Sequence, residues 1–194
     1  RGEGLDLTEL PYGAPHALSE EVTVTCLKDE FYDSALSVRA GDTHILNLND
    51  CAIATAARAA EVRRQAGPCD ILLTQFSYAA WKGGPENRAW REEAARQKIE
   101  NIRLQAEALE PKVVIPFASF VAFSNERNVY LNDAANRPRD VVAAFADAPF
   151  AVQVMQPGDL FAGTPDREAS DAACAFWDRA ADGIAGMTLQ AFET

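Results

Sequence analysis

The nine residues THILNLNDC, at positions 43–51, decide how this sequence folds. The first six read as a β-strand rich in apolar side chains, and the strand runs straight into Asn-Asp-Cys. The acid at its end, Asp50, has two interpretations. It is either the N-cap of a helix that begins at residue 51, or a ligand that the strand directs into a site.

Two further strands precede this stretch. EVTVTCLKD, at 21–29, alternates apolar and polar side chains as a half-buried strand does. SALSVRA, at 34–40, follows after a short turn, and Gly41-Asp42 separates it from the strand at 43–48. This spacing predicts an antiparallel hairpin with its turn at Gly41-Asp42.

Downstream, helices alternate with strands. The pattern predicts helices at 50–67, 88–110, 138–147 and 167–182, strands at 70–74, 112–117 and 149–155, and a turn at 156–161. The apolar stripe expected on the long helix consists of Trp90, Ala94, Ile102, Ala106 and Leu109.

This order of elements predicts an α/β fold in which a mixed sheet is covered by helices. In such sheets, ligands bind at the loops beyond the carboxyl ends of the strands. Asp50, the loop at 75–84 and the segment PFASF at 116–120 all lie at such ends. Asp50 therefore stands where a site is expected.

Composition narrows the class of protein. With 194 residues, 48% of them hydrophobic, residues 1–194 are expected to form one domain, and the absence of a Met at position 1 suggests that the natural N-terminus lies upstream. No apolar run is long enough for a membrane span. The net charge of −11 argues against nucleic acids and anionic membranes as partners. Four cysteines without a C-x-x-C pair indicate buried thiols and a cytoplasmic protein.

Several of these stretches together resemble the second half of metallo-β-lactamase-fold proteins. Four features match in order: Pro-aromatic-Gly at 11–13, the strand beginning DSAL at 33, the strand end HILNLNDC at 44–51, and the turn QPGDL at 156–160. The strongest resemblance, over residues 8–161, is to the metallo-β-lactamase-like domain of CMP-N-acetylneuraminate hydroxylases, and more broadly to UlaG-like lactonases.

The resemblance implies half of an αββα sandwich. The family's metal motif, H-x-H-x-D-H, belongs to the first half, and this sequence lacks it. The resemblance implies that Asp50 reaches the metal centre, which holds iron or zinc. It also places a ligand histidine just before the strand at 34–40, where Asp29 falls nearest, with Glu30 and Asp33 close by.

A second departure from the family concerns a histidine that many of its hydrolases carry after a later strand. Here Ala118 or Ser119 occupies that place, as in the hydroxylase branch, and this favours that branch over a two-zinc hydrolase. The chain has only two histidines, so it does not complete a histidine-based metal site alone.

The loop QFSYAAWKGG, at 75–84, supplies the candidate substrate-binding residues Tyr78, Trp81 and Lys82. Its glycines allow close backbone approach, and Lys82 suits an anionic substrate; the alternative is a packed loop with a surface lysine. His16, in a Pro-flanked loop, is a further candidate for substrate binding or proton transfer. His44 is predicted to be structural or exposed.

The sequence is compatible with three functions. The first is the C-terminal half of a metal-dependent oxygenase that hydroxylates an anionic small molecule, for which the resemblance implies a Rieske [2Fe–2S] partner. The second is a UlaG-type hydrolase of a lactone, ester or phosphodiester. The third is a metal-free scaffold or binding subunit. All three predict that the missing half, another chain or a second copy covers the sheet.

Overall fold

The computed structural model describes residues 7–30 and 33–184, which form a mixed sheet of seven strands in sequence order. The strands are β1 (Pro15–Ala17), β2 (Val22–Lys28), β3 (Ser34–Ala40), β4 (Thr43–Asn47), β5 (Ile71–Gln75), β6 (Val113–Ala118) and β7 (Ala151–Val152). Neighbours from β1 to β4 are antiparallel, and those from β4 to β7 are parallel. The predicted α/β class and the hairpin at Gly41-Asp42 are confirmed.

The helices are α1 (Ala56–Ala66), α2 (Arg88–Leu109), α3 (Pro138–Ala144) and α4 (Arg167–Ile184), with short 3₁₀ helices at Pro85–Asn87 and Val129–Ala134. Thr55 caps α1, because its hydroxyl accepts a hydrogen bond from the Arg58 amide at 3.3 Å. The prediction of a helix from residue 50 was therefore wrong at its start. Asp50 is not the cap of α1.

The main core lies on one face of the sheet. Leu46, Leu72 and Val114 are register neighbours on β4, β5 and β6, and all three are fully buried. Residues of α1, α2 and α3, among them Ala59, Ile102 and Val141, belong to the same cluster. The helices therefore cover this face, as the sequence predicted.

The opposite face is less completely covered. A small cluster of Ile71, Val113 and Ile115 packs against Met155 and Phe161. Further along this face, from β2 to β5, several apolar side chains are only half-buried, whereas Val24 of β2 is buried. The half-buried ones are Cys26, Leu36, Val38, Ile45 and Leu73. The described residues thus form one sheet with one well-covered side.

The stripe expected on α2 needs one correction. Ile102, Ala106 and Leu109 are buried as predicted, but Trp90 is 47% exposed, and the buried residue beside it is Arg91. A charged side chain takes the inward position because it finds an ionic partner there.

Among the described residues, no helix is long and apolar enough to cross a bilayer.

Candidate functional site

A tight turn at the end of β4 presents Asp50. The Leu48 amide is held by the Leu73 carbonyl at 3.0 Å, and the Cys51 amide donates back to the Leu48 carbonyl at 2.9 Å. Asn49 adopts a left-handed conformation with φ 45°, which asparagine tolerates better than most residues. Leu48 and Cys51 point into the core, and Asp50 is exposed at the carboxyl edge of the sheet.

Asp29 holds the backbone that follows this turn. The carboxyl group is buried, and its Oδ2 accepts a hydrogen bond from the Ala52 amide at 3.0 Å. Its Oδ1 forms an ion pair with Arg58 on α1. The guanidinium neutralises the carboxylate, so the side chain suits a positioning role as well as it suits the predicted role of metal ligand.

Three carboxylates act electrostatically on the Cys51 thiol. Burial raises the pKa of Cys51 to about 12, and Asp29, Asp33 and Asp50 add to the increase. The thiol therefore stays protonated and packs in the core, in agreement with its predicted packing role.

A cavity of about 250 Å³ opens beside the turn, between the loop at 75–84 and α2. Cys51 and Ala52 of the turn line it, together with Ala94 of α2. Its polar lining residues are Gln75, Tyr78, Lys82, Gln97, Lys98, Asn101 and Gln105. The site is thus rich in amide and ammonium groups.

A chain of hydrogen bonds runs from this cavity to Asp50. The Lys98 ammonium donates to Gln75 Oε1, and Gln75 Nε2 donates to Asp50 Oδ1. Burial lowers the pKa of Lys98, Asp50 opposes that shift, and Lys82 adds to it. Gln75 therefore links a partly desolvated cation to an exposed anion.

The structure brings two of the three predicted loop residues to the cavity. Tyr78 is buried, and its hydroxyl donates to the Leu131 carbonyl at 2.6 Å. Lys82 lines the cavity, with its Nζ 6.0 Å from the centre of the Trp90 ring. Trp81 is 63% exposed, packs edge-on against Trp90 and does not line the cavity.

The two histidines lie elsewhere. His16 is on the edge strand β1, and β2 and β3 separate it from β4. His44 is buried, and its Nδ1 must donate to the Pro68 carbonyl at 2.6 Å, so its Nε2 accepts from the Ser37 hydroxyl at 2.8 Å. Burial lowers the pKa of His44. His44 is structural, as predicted, and the roles of His16, Asp29 and Asp50 stay predictions.

Sequence reasoning missed Gln75 and Lys98. A signal for Lys98 was present, because Arg91, Lys98 and Gln105 recur every seven residues along α2 and so share one helix face. Apolar residues flank them on the same side, so these three polar residues look like interruptions of the apolar stripe that packs in the core. Nothing in the sequence distinguishes Gln75 from an ordinary polar residue at a strand end.

The described residues do not hold a complete metal site at this edge. Within residues 7–30 and 33–184, no group of three or more His, Cys, Asp or Glu side chains could hold a metal ion. Asp50 is an exposed carboxylate with one oxygen engaged by Gln75, and carboxylates suit iron and other hard cations. It fits a metal as one ligand of a set that other residues complete.

Comparisons with known proteins support the fold. No protein-family model matches the chain, and no curated protein matches its sequence. A solved variant of CmlA β-hydroxylase superposes with a TM-score of 0.52 at 13% identity, over 78% of this chain and 33% of that chain. That similarity supports a metallo-β-lactamase-type fold for the described residues.

Two further structures match more weakly. CmlA from Streptomyces venezuelae, described as a diiron β-hydroxylase, gives a TM-score of 0.48 at 14% identity over 76% of this chain and 33% of that chain. A protein of unknown function from Enterococcus faecalis gives 0.33 at 10% identity, over 84% of this chain and 40% of that one. The chain thus spans about a third of the CmlA structures it matches.

Proposed function

We propose that this chain forms part of a metal-dependent enzyme of the metallo-β-lactamase fold, with Asp50 as its ligand to the metal. The observation that carries the proposal is the presentation of Asp50. A tight turn projects it, exposed, at the carboxyl edge of β4, beside a polar cavity to which Gln75 links it by a hydrogen bond. Catalytic sites of open α/β sheets occupy this position.

The remaining ligands would come from a second half-sandwich packed against the half-buried face of β2 to β5. That face carries several partly exposed apolar side chains, and accessible apolar patches mark interaction surfaces. The matched CmlA structure is about three times as long as the part this chain covers. The missing N-terminal half, a separate chain or a second copy would supply that sheet.

Within the site, this chain's residues have separate roles. Asp50 would bind the metal, which supplies Lewis acidity or activates oxygen or water when bound. Asp29, paired with Arg58, fixes the turn through the Ala52 amide instead of entering the coordination sphere. Tyr78 and Lys82 face the cavity where substrate would sit.

Hydroxylation of an anionic small molecule is the reaction we favour, since the matched structure is described as a β-hydroxylase. Iron is the metal we propose, because a carboxylate ligand suits iron and the family resemblance implies iron or zinc. A Rieske partner rests on the family resemblance alone. The alternative function, a hydrolase, requires zinc or manganese without an iron–sulfur partner.

The test is metal analysis with a visible absorption spectrum on the full-length natural protein and two variants. Asp50→Ala should lose mononuclear or dinuclear metal, while Asp42→Ala, an exposed acid at the opposite end of β4, should keep it. Iron supports the oxygenase, and iron–sulfur bands would add a Rieske partner. Zinc without those bands supports the hydrolase. Absence of metal, or equal content in all three proteins, would overturn the proposal.

A further inference from the structure

The cavity beside Asp50 carries two cations of this acidic chain close together. Lys82 enters from the loop at 75–84, and Lys98 enters from α2. They lie near enough for the charge of Lys82 to act on Lys98. The chain as a whole bears a net charge of −11, yet the residues that line this cavity include two lysines and no Asp or Glu, which marks a local positive site.

The immediate partners of Lys98 do not neutralise it. The Lys98 ammonium donates a hydrogen bond to the neutral Gln75 amide. Other cations of the same helix have carboxylate partners: Arg88 pairs with Glu92, and Arg96 pairs with Glu93. Asp50 is reached only through Gln75. A partly desolvated ammonium without a direct anion favours the entry of one.

Amide groups complete the donor set. Gln97 Nε2 donates to Asn101 Oδ1 at 2.9 Å, and the Asn101 side chain keeps its amide nitrogen as a donor. Both residues line the cavity. Ammonium and amide donors around about 250 Å³ suit one compact oxyanion group, because complete small-molecule sites are usually larger.

We infer that this cavity binds the carboxylate or phosphate group of the substrate, with Lys98 and Lys82 as its counter-charges. Lys98 is the residue that sequence reasoning did not assign, and it becomes the main anion contact. Gln75 then sets the separation between the bound anion and Asp50, because it contacts Lys98 with its oxygen and Asp50 with its nitrogen. The inference rests on the proposed function only in calling the anion a part of the substrate.

The geometry gives the substrate an orientation. The anionic group sits against α2, and the rest of the molecule extends toward the carboxyl edge of β4. A substrate lacking the anionic group would lose the contacts that fix its distance from Asp50. Charge-assisted hydrogen bonds to ammonium and amide donors are the strong, position-determining contacts of such a site.

The experiment is a titration of the metal-free full-length natural protein with inorganic phosphate and, separately, acetate, at constant ionic strength, followed by NMR of the lysine side chains. The four lysines of residues 1–194 are Lys28, Lys82, Lys98 and Lys112. The Lys82 and Lys98 signals should shift together with one saturation curve, and the other two should stay unchanged. The anion that binds more tightly identifies the class of substrate group.

Matched variants sharpen the result. Lys98→Met should weaken anion binding at least tenfold, and Lys112→Met, which removes the same charge from an exposed position, should change it less than twofold. No saturable shift with either anion, a shared shift of all four lysines, or equal loss in both variants would overturn the inference. Because metal is absent here, failure of the Asp50 proposal would leave this titration unaffected, and the reverse also holds.

Discussion

Arg91 and Lys98 lie two turns apart on the same face of α2, and their surroundings differ sharply. Arg91 is fully buried, and its guanidinium donates to both carboxylate oxygens of Asp133 at 2.7 Å. Lys98 is only half-buried and has a neutral amide as its partner. The first cation is neutralised by the fold itself, and the second keeps its charge for a ligand.

Arg91 also holds the loop that carries Lys82. It donates to the carbonyls of Gly84 at 2.7 Å and Pro85 at 3.1 Å, and its guanidinium lies 5.1 Å from the centre of the Tyr130 ring. Tyr130 in turn donates to the Gly83 carbonyl at 3.0 Å. One face of one helix thus provides both the support of the loop and the charge beneath it.

Replacing Arg91 should have the largest effect on stability. Arg91→Met leaves the Asp133 carboxylate and two loop carbonyls without their donor, and the loss of these charge-assisted hydrogen bonds should cost about 3 kcal/mol. Urea denaturation measures the loss. The control is Arg88→Met, which breaks an exposed pair with Glu92 and should leave the free energy of unfolding nearly unchanged. Equal losses in the two variants would contradict the structural role of Arg91.

Gln105, the third polar residue of this face, should show an intermediate effect. It accepts from the Thr74 hydroxyl at 2.6 Å and donates to the Ile53 carbonyl at 2.9 Å, all within the core. Gln105→Leu leaves both groups unpaired, which should cost about 1–2 kcal/mol. Gln97→Leu, at an exposed position of the same helix, is the control.

A double variant distinguishes lost hydrogen bonding from lost packing at this position. In Thr74→Val combined with Gln105→Leu, one of the two stranded polar groups is gone, so part of the stability should return. If the double variant is less stable than Gln105→Leu alone, Gln105 acts through its shape and not through its hydrogen bonds.

Arg91, Lys98 and Gln105 also show how much of the structure the sequence could predict. Periodicity was enough to predict six of the seven strands, the hairpin and all four helices, because burial imposes it on the residues of an element. It missed the three-residue strand β1, so the prediction that His16 lies in a loop was wrong. It failed on Arg91, Lys98 and Gln105, since a polar residue becomes acceptable in a core only when partners distant in sequence satisfy it. Asp133, Gln75 and Thr74 are those partners, and no local pattern joins them to α2.

The candidate site was predictable only in part for a related reason. Asp50 follows directly from the end of a strand, a position that sequence identifies. Its surroundings depend on how the loop at 75–84 folds over α2, and that fold is set by contacts of Arg91 and Tyr130. The predicted start of α1 was wrong because Thr55, five residues beyond Asp50, is the residue that caps this helix.

Replacing Lys98 should have the smallest effect on stability, and that result would separate it most clearly from Arg91. Burial lowers the pKa of Lys98, so the folded state disfavours its charged form at neutral pH, and removing the charge removes that penalty. Lys98→Met should leave the free energy of unfolding unchanged or raise it, measured by urea denaturation at pH 7. A loss as large as that of Arg91→Met would mean that Lys98 supports the fold as Arg91 does. Unchanged stability together with weakened anion binding would show that the fold tolerates this ammonium and that a ligand is what uses it.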